Sequence, residues 1–328
     1  MKIGLIDVDG KKFPNLALMK ISAYHKAKGD LVEWCFPLDS YDRVYISKVF
    51  DEIYTPDIDY IVQAKEIIKG GTGYVRRRKK DNETWLEFFV NGRWVHEKTY
   101  KGTDVYNEFL PHEIEHIYPD YSLYPDLTKD TSFGYLTRGC PRNCAFCCVG
   151  AKEGLKSVKV ANLSEFWRDQ KYIKLFDPNI LACRDHLNLL TQLSESNAYI
   201  DITQGLDIRM TTTQNIELIN SLKLKQIHFA WDNPKDALEK RFEKYAALAK
   251  RKPHGYYASV YVLTNFGSTM KENLYRIYTL RNMGFDPYVM IYNKPSAPRE
   301  ILRLQRWVNN KKLFKSVDRF EDYDVKIG

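Results

Sequence analysis

Three cysteines, Cys140, Cys144 and Cys147, stand in one short stretch, Gly134 to Gly150 (GYLTRGCPRNCAFCCVG), separated by three and then two residues. Thiolates this close in one loop can hold a soft metal centre without ligands from elsewhere in the chain. A mononuclear zinc ion would want a fourth protein ligand to close its tetrahedron, and Cys148, adjacent to Cys147, is poorly placed to supply it. A four-iron cluster held by three thiolates instead leaves one iron open for chemistry. Phe146 stands just before the last cysteine, and Phe133–Thr137 reads as a strand leading into the loop.

From Ser132 onward strand and helix patterns alternate. Strands are expected at Phe133–Thr137, Tyr172–Phe176, Tyr199–Thr203, Gln226–Trp231, Ser259–Leu263 and Tyr288–Tyr292. Helices are expected at Leu163–Gln170, Arg184–Glu195, Thr213–Leu222, Pro234–Lys250, Thr269–Met283 and Pro298–Asn310. Six β/α units are too few to close an eight-stranded barrel. In such barrels chemistry gathers at the C-terminal ends of the strands. Those ends carry Asp177 and Asn179 after the second strand, Asp207 and Arg209 after the third, and Trp231, Asp232 and Asn233 after the fourth. Leu263 and Asn265 follow at the fifth, then Tyr292 and Lys294 at the sixth. Arg209 reads equally as one half of a structural ion pair, and Lys294 as the start of a loop; its ammonium would suit a phosphate or carboxylate.

The first 75 residues have another pattern. Lys2–Asp9 is an apolar run of strand length, Pro14–Lys28 reads as a helix ended near Gly29, and Leu31–Phe36, Asp42–Phe50 and Glu66–Lys69 are further strand candidates. Strand and helix joined by short connections predict a parallel, doubly wound sheet. Asp7 and Asp9 fall at the C-terminal end of its first strand, where open α/β sheets bind ligands, although Asp9-Gly10 is also a common turn pair. Trp85–Val90 and Arg93–Tyr100 flank Asn91-Gly92, the strongest short hairpin signal. With the basic run Arg76–Lys80 this hairpin reads as a packing flap in preference to a single-strand nucleic-acid platform. His112-Glu113-Ile114-Glu115-His116 matches the HExxH zinc pattern. The segment is bounded by Pro111 and Pro119 and has no recognisable third ligand, so we expect no metal there.

With 44% hydrophobic and 28% charged residues the chain has the composition of a globular protein, not of a disordered or fibrous one. Six clustered cysteines are too few for a secreted disulfide framework, which points to a reducing, cytoplasmic compartment. No signal-peptide pattern or apolar run of membrane-spanning length is present, so no membrane partner is expected. The net charge of +8 favours anionic partners.

The CxxxCxxC spacing with an aromatic before the last cysteine resembles the signature loop of radical S-adenosylmethionine (SAM) enzymes. The resemblance extends from Ser132 to about Asn310 and implies the partial (β/α)6 barrel of that superfamily. It also implies a 4Fe-4S cluster on Cys140, Cys144 and Cys147, whose open iron chelates SAM. Phe146, Asp177, Asn179, Asp207, Arg209, Asp232, Leu263 and Asn265 would contact SAM. Arg209 would meet its carboxylate, Asp232 its ribose hydroxyls or the substrate, and the Leu263–Asn265 stretch its adenine. Where the superfamily has a glycine-rich turn ending in an acidic residue, this chain has Asp177-Pro178-Asn179 instead. Residues 1–75 resemble the cobalamin-binding-type domain of a large subgroup, but lack its Asp-x-His-x-x-Gly loop; His25 lies inside the first helix, three residues from Gly29. We therefore expect the Rossmann-like fold without cobalamin, then a hairpin flap and linker (76–130), the barrel (131–310) and a polar tail (311–328).

The resemblance implies one-electron cleavage of SAM to a 5′-deoxyadenosyl radical, with flavodoxin or ferredoxin as electron donor. Asp232 and Asn233 are the catalytic candidates; Asp7, Asp9, Trp231, Tyr292 and Lys294 are candidates for a small phosphorylated or nucleoside-like substrate. The layout looks most like a queuine lyase acting on queuosine 5′-phosphate. Radical modification of RNA is the alternative, and a non-catalytic iron–sulfur or RNA-binding protein is a third. The short tail offers no RNA-binding barrel and Cys35 stands alone in the N-terminal domain, so no stable nucleic-acid complex is expected.

Overall fold

The computed structural model describes all residues except Lys11, Asp51, Ile53, Asn82, Gly255, Tyr256, Val325, Ile327 and Gly328, and the side chain of Lys79. The chain divides into two units: Met1–Gly134 with Ala161–Lys171, and Tyr135–Val160 with Tyr172–Gly328.

In the first unit β1 (Lys2–Asp7), β2 (Leu31–Trp34), β3 (Ser40–Ser47), β4 (Gln63–Gly70) and β8 (Val105–Asn107) form a parallel sheet in the order β2-β1-β3-β4-β8. Between β1 and β2 runs α1 (Leu16–Ala27). Asn15 caps it by accepting from the Leu18 amide, and Gly29 leaves it with φ +80°, a conformation open to glycine. Alternation along β1 serves two cores. Ile3 and Leu5 pack with Leu18 and Ile21 of α1 on one face, while Ile6 joins Val44 and Ile46 on the other. Each such fully buried aliphatic side chain contributes about 1.5–3 kcal/mol.

The second face is covered by an antiparallel insertion of β5 (Val75–Lys80), β6 (Glu83–Val90) and β7 (Arg93–His96), which buries Val75 and Phe89 there. The basic run thus becomes a strand whose three arginines are paired: Arg76 and Arg78 reach Glu87 at 2.6 and 3.3 Å, and Arg77 reaches Glu108 at 2.7 Å. Strand β3 ends at Ser47, short of the expected Phe50, because Asp9 takes the amides of Val49 and Phe50 (2.5 and 3.2 Å). After β8 come α2 (His112–Glu115), α3 (Pro125–Thr128) and β9 (Thr131–Gly134). The HExxH segment is this single turn α2, and His116 Nδ1 lies 2.9 Å from Glu165.

In the second unit β10 (Thr137–Arg138) pairs antiparallel with β11 (Val158–Lys159), flanking α4 (Val149–Glu153). Parallel strands β12 (Tyr172–Leu175), β13 (Tyr199–Ile202) and β14 (Lys223–Leu224) form one group; β15 (Ile227–Ala230), β16 (Ala258–Thr264) and β17 (Asp286–Ile291) form another. A parallel bridge from Leu206 to Phe229 links the two groups. Helices α5 (His186–Glu195), α6 (Thr213–Ser221), α7 (Glu239–Leu248), α8 (Met270–Asn282) and α9 (Arg299–Asn309) alternate with them. Ile173, Leu175, Ile200, Ile202, Ile227, Phe229, Val260 and Val262 are buried, whereas the residues between them are part-exposed on the other strand face. This is the alternation of strands covered by helices on one side only.

Two expected helices need correction, and the tail gains an element. The helix expected at Leu163–Gln170 is one 3-10 turn, Leu163–Glu165, closed by an Asn162–Glu165 capping box. The helix expected from Pro234 begins at Glu239, because Asn233 to Asp236 first forms a turn. The polar tail contains α10 (Lys311–Ser316), whose Phe314, together with Phe320, packs on Trp307 at 4.9 and 5.7 Å; its Val325, Ile327 and Gly328 lie outside the described residues. Among the described residues no helix is long and apolar enough to cross a membrane.

Gly71 sits at φ +92°, where an added Cβ would lie 2.2 Å from the Lys48 carbonyl oxygen. Gly71→Ala is expected to destabilise the first unit by at least about 1–3 kcal/mol from backbone strain alone. Urea denaturation followed by circular dichroism measures it, and an unchanged midpoint would contradict the close approach.

Candidate functional site

The cysteine loop leaves β10 through Gly139 at φ +83°, where a Cβ would meet the Lys156 carbonyl oxygen at 2.1 Å. Glu153 accepts from the Gly139 amide (3.0 Å) and from Arg138 Nη1 (3.1 Å). The Cys140 amide donates to the Gly154 carbonyl and the Cys147 amide to that of Cys144. Burial pushes the Cys144 and Cys147 thiols up, and in both the neighbouring Cys140 adds to the rise. Among the described residues no three of His, Cys, Asp and Glu are already gathered as a metal-ligand set. What fits a soft cluster is the donor chemistry: three thiols in mutual electrostatic reach on one short loop.

Asp177 is fully buried, and its carboxylate accepts from the Leu136 amide (3.2 and 3.1 Å), the Thr137 amide (2.5 Å) and the Thr137 hydroxyl (2.7 Å). Expected to contact SAM, it instead pins the backbone that delivers the cysteines. Burial drives its pKa up to about 6, against the pull of those hydrogen bonds. Two residues on, buried Asn179 points its amide nitrogen at Cys140 Sγ (3.6 Å) and at Asp207 (3.3 Å). Its Oδ1 is a buried acceptor with no partner.

Asp207 also accepts from the amide and Nε of Arg209 (3.1 and 2.6 Å), and Arg209 Nη1 reaches Asp236 at 2.7 Å. Arg142, inside the cysteine loop, lies 3.6 Å from Asp236 and 4.0 Å from Asp207. A four-membered charge network thus ties the loop to the strand ends. Arg209 is in that network, not a lone arginine, and the sequence reading missed Arg142 and Asp236.

Asp232 is held up to about 6 by burial, opposed by Arg276 and Arg209, and its charge in turn raises the Cys144 thiol. Arg276 of α8 is wholly buried and was also missed. It donates to the carbonyls of Trp231 (2.6 Å), Asp232 (2.8 Å), Leu263 (2.9 Å) and Glu272 (3.3 Å) and to Asn273 Oδ1 (2.7 Å). One guanidinium therefore fixes the ends of β15 and β16, and desolvation lowers its pKa to about 10.

Phe146 meets Phe266 edge-on at 5.6 Å, and Phe266 meets Tyr292 at 4.7 Å, so an aromatic row joins the loop to the last two strand ends. Asn265, at φ +60°, donates to the Tyr292 carbonyl (2.8 Å), and Leu263 is buried beneath. Lys294 is exposed at the start of a 3-10 turn.

Several expected ligand residues have other tasks. Trp231 is 1% exposed, stacks on Phe242 and donates to the Asp236 carbonyl, so it is core and not substrate contact. Asn233 bonds Asp236 and the Lys235 amide and shapes a turn. In the first unit Asp7 accepts from the Tyr124 hydroxyl at 2.7 Å, and Asp9 is spent on the Val49 and Phe50 amides.

The chain is thus a parallel sheet with a helix on one face and a hairpin insertion on the other, in place of the expected doubly wound sheet, followed by a partial β/α barrel that opens on a cysteine loop. Among solved structures the chain is similar to the radical SAM methyltransferase TsrM from Kitasatospora setae, solved with cobalamin and a 4Fe-4S cluster bound. The TM-score is 0.56 at 11% identity, covering 88% of this chain and 72% of that one. At that identity the likeness is one of fold. No family model and no curated protein matches the chain.

A carboxyl whose folded pKa is raised binds more protons folded than unfolded, so its burial costs nothing below about pH 3.8 and most above its folded value. For Asp177, raised to about 6, stability is expected to fall by up to about 3 kcal/mol as pH climbs from 4 to 6, with a smaller contribution from part-exposed Asp232. Thermal midpoints of the metal-free protein across that window test this. An Asp177→Asn slope as steep as the wild type would refute the assignment.

Proposed function

We propose that this chain is a radical SAM enzyme whose 4Fe-4S cluster is held by Cys140, Cys144 and Cys147, and that it releases queuine from queuosine 5′-phosphate. The observation carrying the first half is the three-cysteine loop on a partial barrel, with the unpaired Oδ1 of buried Asn179 beside Cys140. With SAM bound, such a cluster supplies a 5′-deoxyadenosyl radical able to take a substrate hydrogen. The remaining roles belong to the protein. Asn179 would accept from the SAM ammonium group, Arg209 and Arg142 would face its carboxylate, and Asp232 would accept from ribose hydroxyls. Phe146, Phe266 and Tyr292 would keep water from the reacting atoms. The +8 chain suits an acidic electron donor such as flavodoxin or ferredoxin, and Lys294 suits the substrate phosphate.

Methyl transfer is the second reading, favoured by the likeness to TsrM, a methyltransferase with cobalamin bound. Two features weigh toward the lyase. The Asp-x-His-x-x-Gly loop is missing, and the strand-end loops of the first unit bind one another, the Val49 amide donating to Asp9 and the Gly73 amide to the Lys48 carbonyl. RNA modification fits less well, because Arg76, Arg77 and Arg78 are matched by Glu87 and Glu108.

Anaerobically reconstituted protein should hold about four irons. Under reductant it should convert SAM to 5′-deoxyadenosine, with free queuine released in step from queuosine 5′-phosphate. Cys144→Ala should abolish both, and Cys148→Ala neither. Full SAM cleavage by Cys144→Ala would sink the cluster assignment. Deoxyadenosine without queuine would remove the lyase, and a methylated product with S-adenosylhomocysteine would favour the second reading.

A further inference from the structure

The strand ends account for the cysteines and the Asp207–Arg209–Asp236 network, but not for polar residues on the inner strand faces. Lys174 of β12 and Asp201 of β13 are register partners, as are Tyr261 of β16 and Tyr288 of β17. His228 of β15 stacks on Tyr261 with ring centroids 5.5 Å apart and planes within 4°, and Tyr288 meets Tyr261 edge-on at 6.0 Å. The flanking residues Ile200, Ile202, Ile227, Phe229, Val260 and Val262 are buried, so the polar residues share the opposite, part-exposed face. Two atoms of this group are buried without a hydrogen-bond partner, Oδ1 of Asp201 and Nδ1 of His228. Native proteins carry few buried polar atoms without a partner. Burial keeps His228 below the ordinary imidazole range, with Asp201 pulling the other way, so the ring is neutral near pH 7.

We propose that Asp201, His228 and Tyr261 form the seat of a planar lactam base of the guanine class inside the barrel. The ligand chemistry follows from what the two orphaned atoms lack. A carboxylate oxygen accepts only, so Asp201 calls for an N–H donor, and two adjacent donors serve a carboxylate best. A guanine-type edge offers a ring N–H beside an amino group. An adenine edge sets a lone pair beside its amino group, and a uracil edge flanks its N–H with carbonyls; both repel a carboxylate. The guanine-type carbonyl completes the edge and can accept from a neutral imidazole N–H, while the Tyr261–His228 pair offers a flat aromatic neighbour. This inference deepens the function proposed above and rests on that reading for the identity of the reacting molecule. The seat itself stands on the barrel residues alone.

Equilibrium dialysis of the anaerobic, cluster-loaded protein against guanosine, inosine and adenosine 5′-monophosphates tests it. A bidentate contact is worth roughly ten- to a hundredfold in discrimination. GMP should bind at least about tenfold tighter than IMP, which lacks the amino group, and tighter still than AMP. Asp201→Asn should lose the GMP preference while its iron content and thermal midpoint stay those of the wild type. Tyr261→Leu should weaken all three nucleotides alike. Equal binding of GMP and AMP, or an Asp201→Asn protein that still prefers GMP, would overturn the seat. GMP preference in a protein that fails to cleave SAM would uphold the seat and strike the radical reading alone.

Discussion

The second unit depends on a carboxylate that has no access to water. Both oxygens of Asp177 are committed to Leu136 and Thr137, the residues from which the chain departs toward its cysteines. A buried carboxyl is tolerable only when its lone pairs are filled. Here the filling groups are backbone amides that would otherwise be orphaned where a strand gives way to a loop. The constraint therefore acts in both directions. It orders the start of the loop, and it removes Asp177 from the set of groups free to hold a ligand.

A buried cation does the matching work on the far side of the barrel. All five N–H groups of Arg276 are donated, four to carbonyls and one to Asn273. Carbonyls at strand ends have no ladder partner, and each left unpaired in the interior would cost about 1–3 kcal/mol. A lysine could not replace this fork, because its three donors radiate from a point. Arg276 also limits how far burial raises the Asp232 carboxyl. Strand ends become rigid platforms by this means, and side chains at the rim keep fixed separations.

What the sequence made legible was whatever depends on local period or spacing. Alternation of β-branched runs with amphipathic helices located the barrel strands to within a few residues. CxxxCxxC located the loop, and Asn91-Gly92 located the hairpin. Residues whose role depends on long-range proximity stayed hidden. Arg142 reads as one more surface base until folding brings Asp207 and Asp236 beside it. Arg276 sits at an ordinary helix position, and only burial distinguishes it. An aspartate or tryptophan at a strand end reads alike whether it turns to the rim or to the core, which is why Asp177 and Trp231 exchanged a ligand role for a structural one.

The same reasoning separates the rim of the barrel from its interior. At the rim, Asp207, Arg209, Asp236 and Arg142 pair with one another, and among the described side chains there Asn179 keeps a buried oxygen without a partner. Among the described residues the inner faces carry no such ion-pair network, and there Asp201 and His228 each keep one buried atom without a partner. Evenly apolar inner faces would have been the more stable choice for a barrel that only had to fold. Polar groups left incomplete in the interior are a cost that packing alone does not explain. A guest able to complete them would recover that cost on binding, and the selectivity for it would come from the same two atoms.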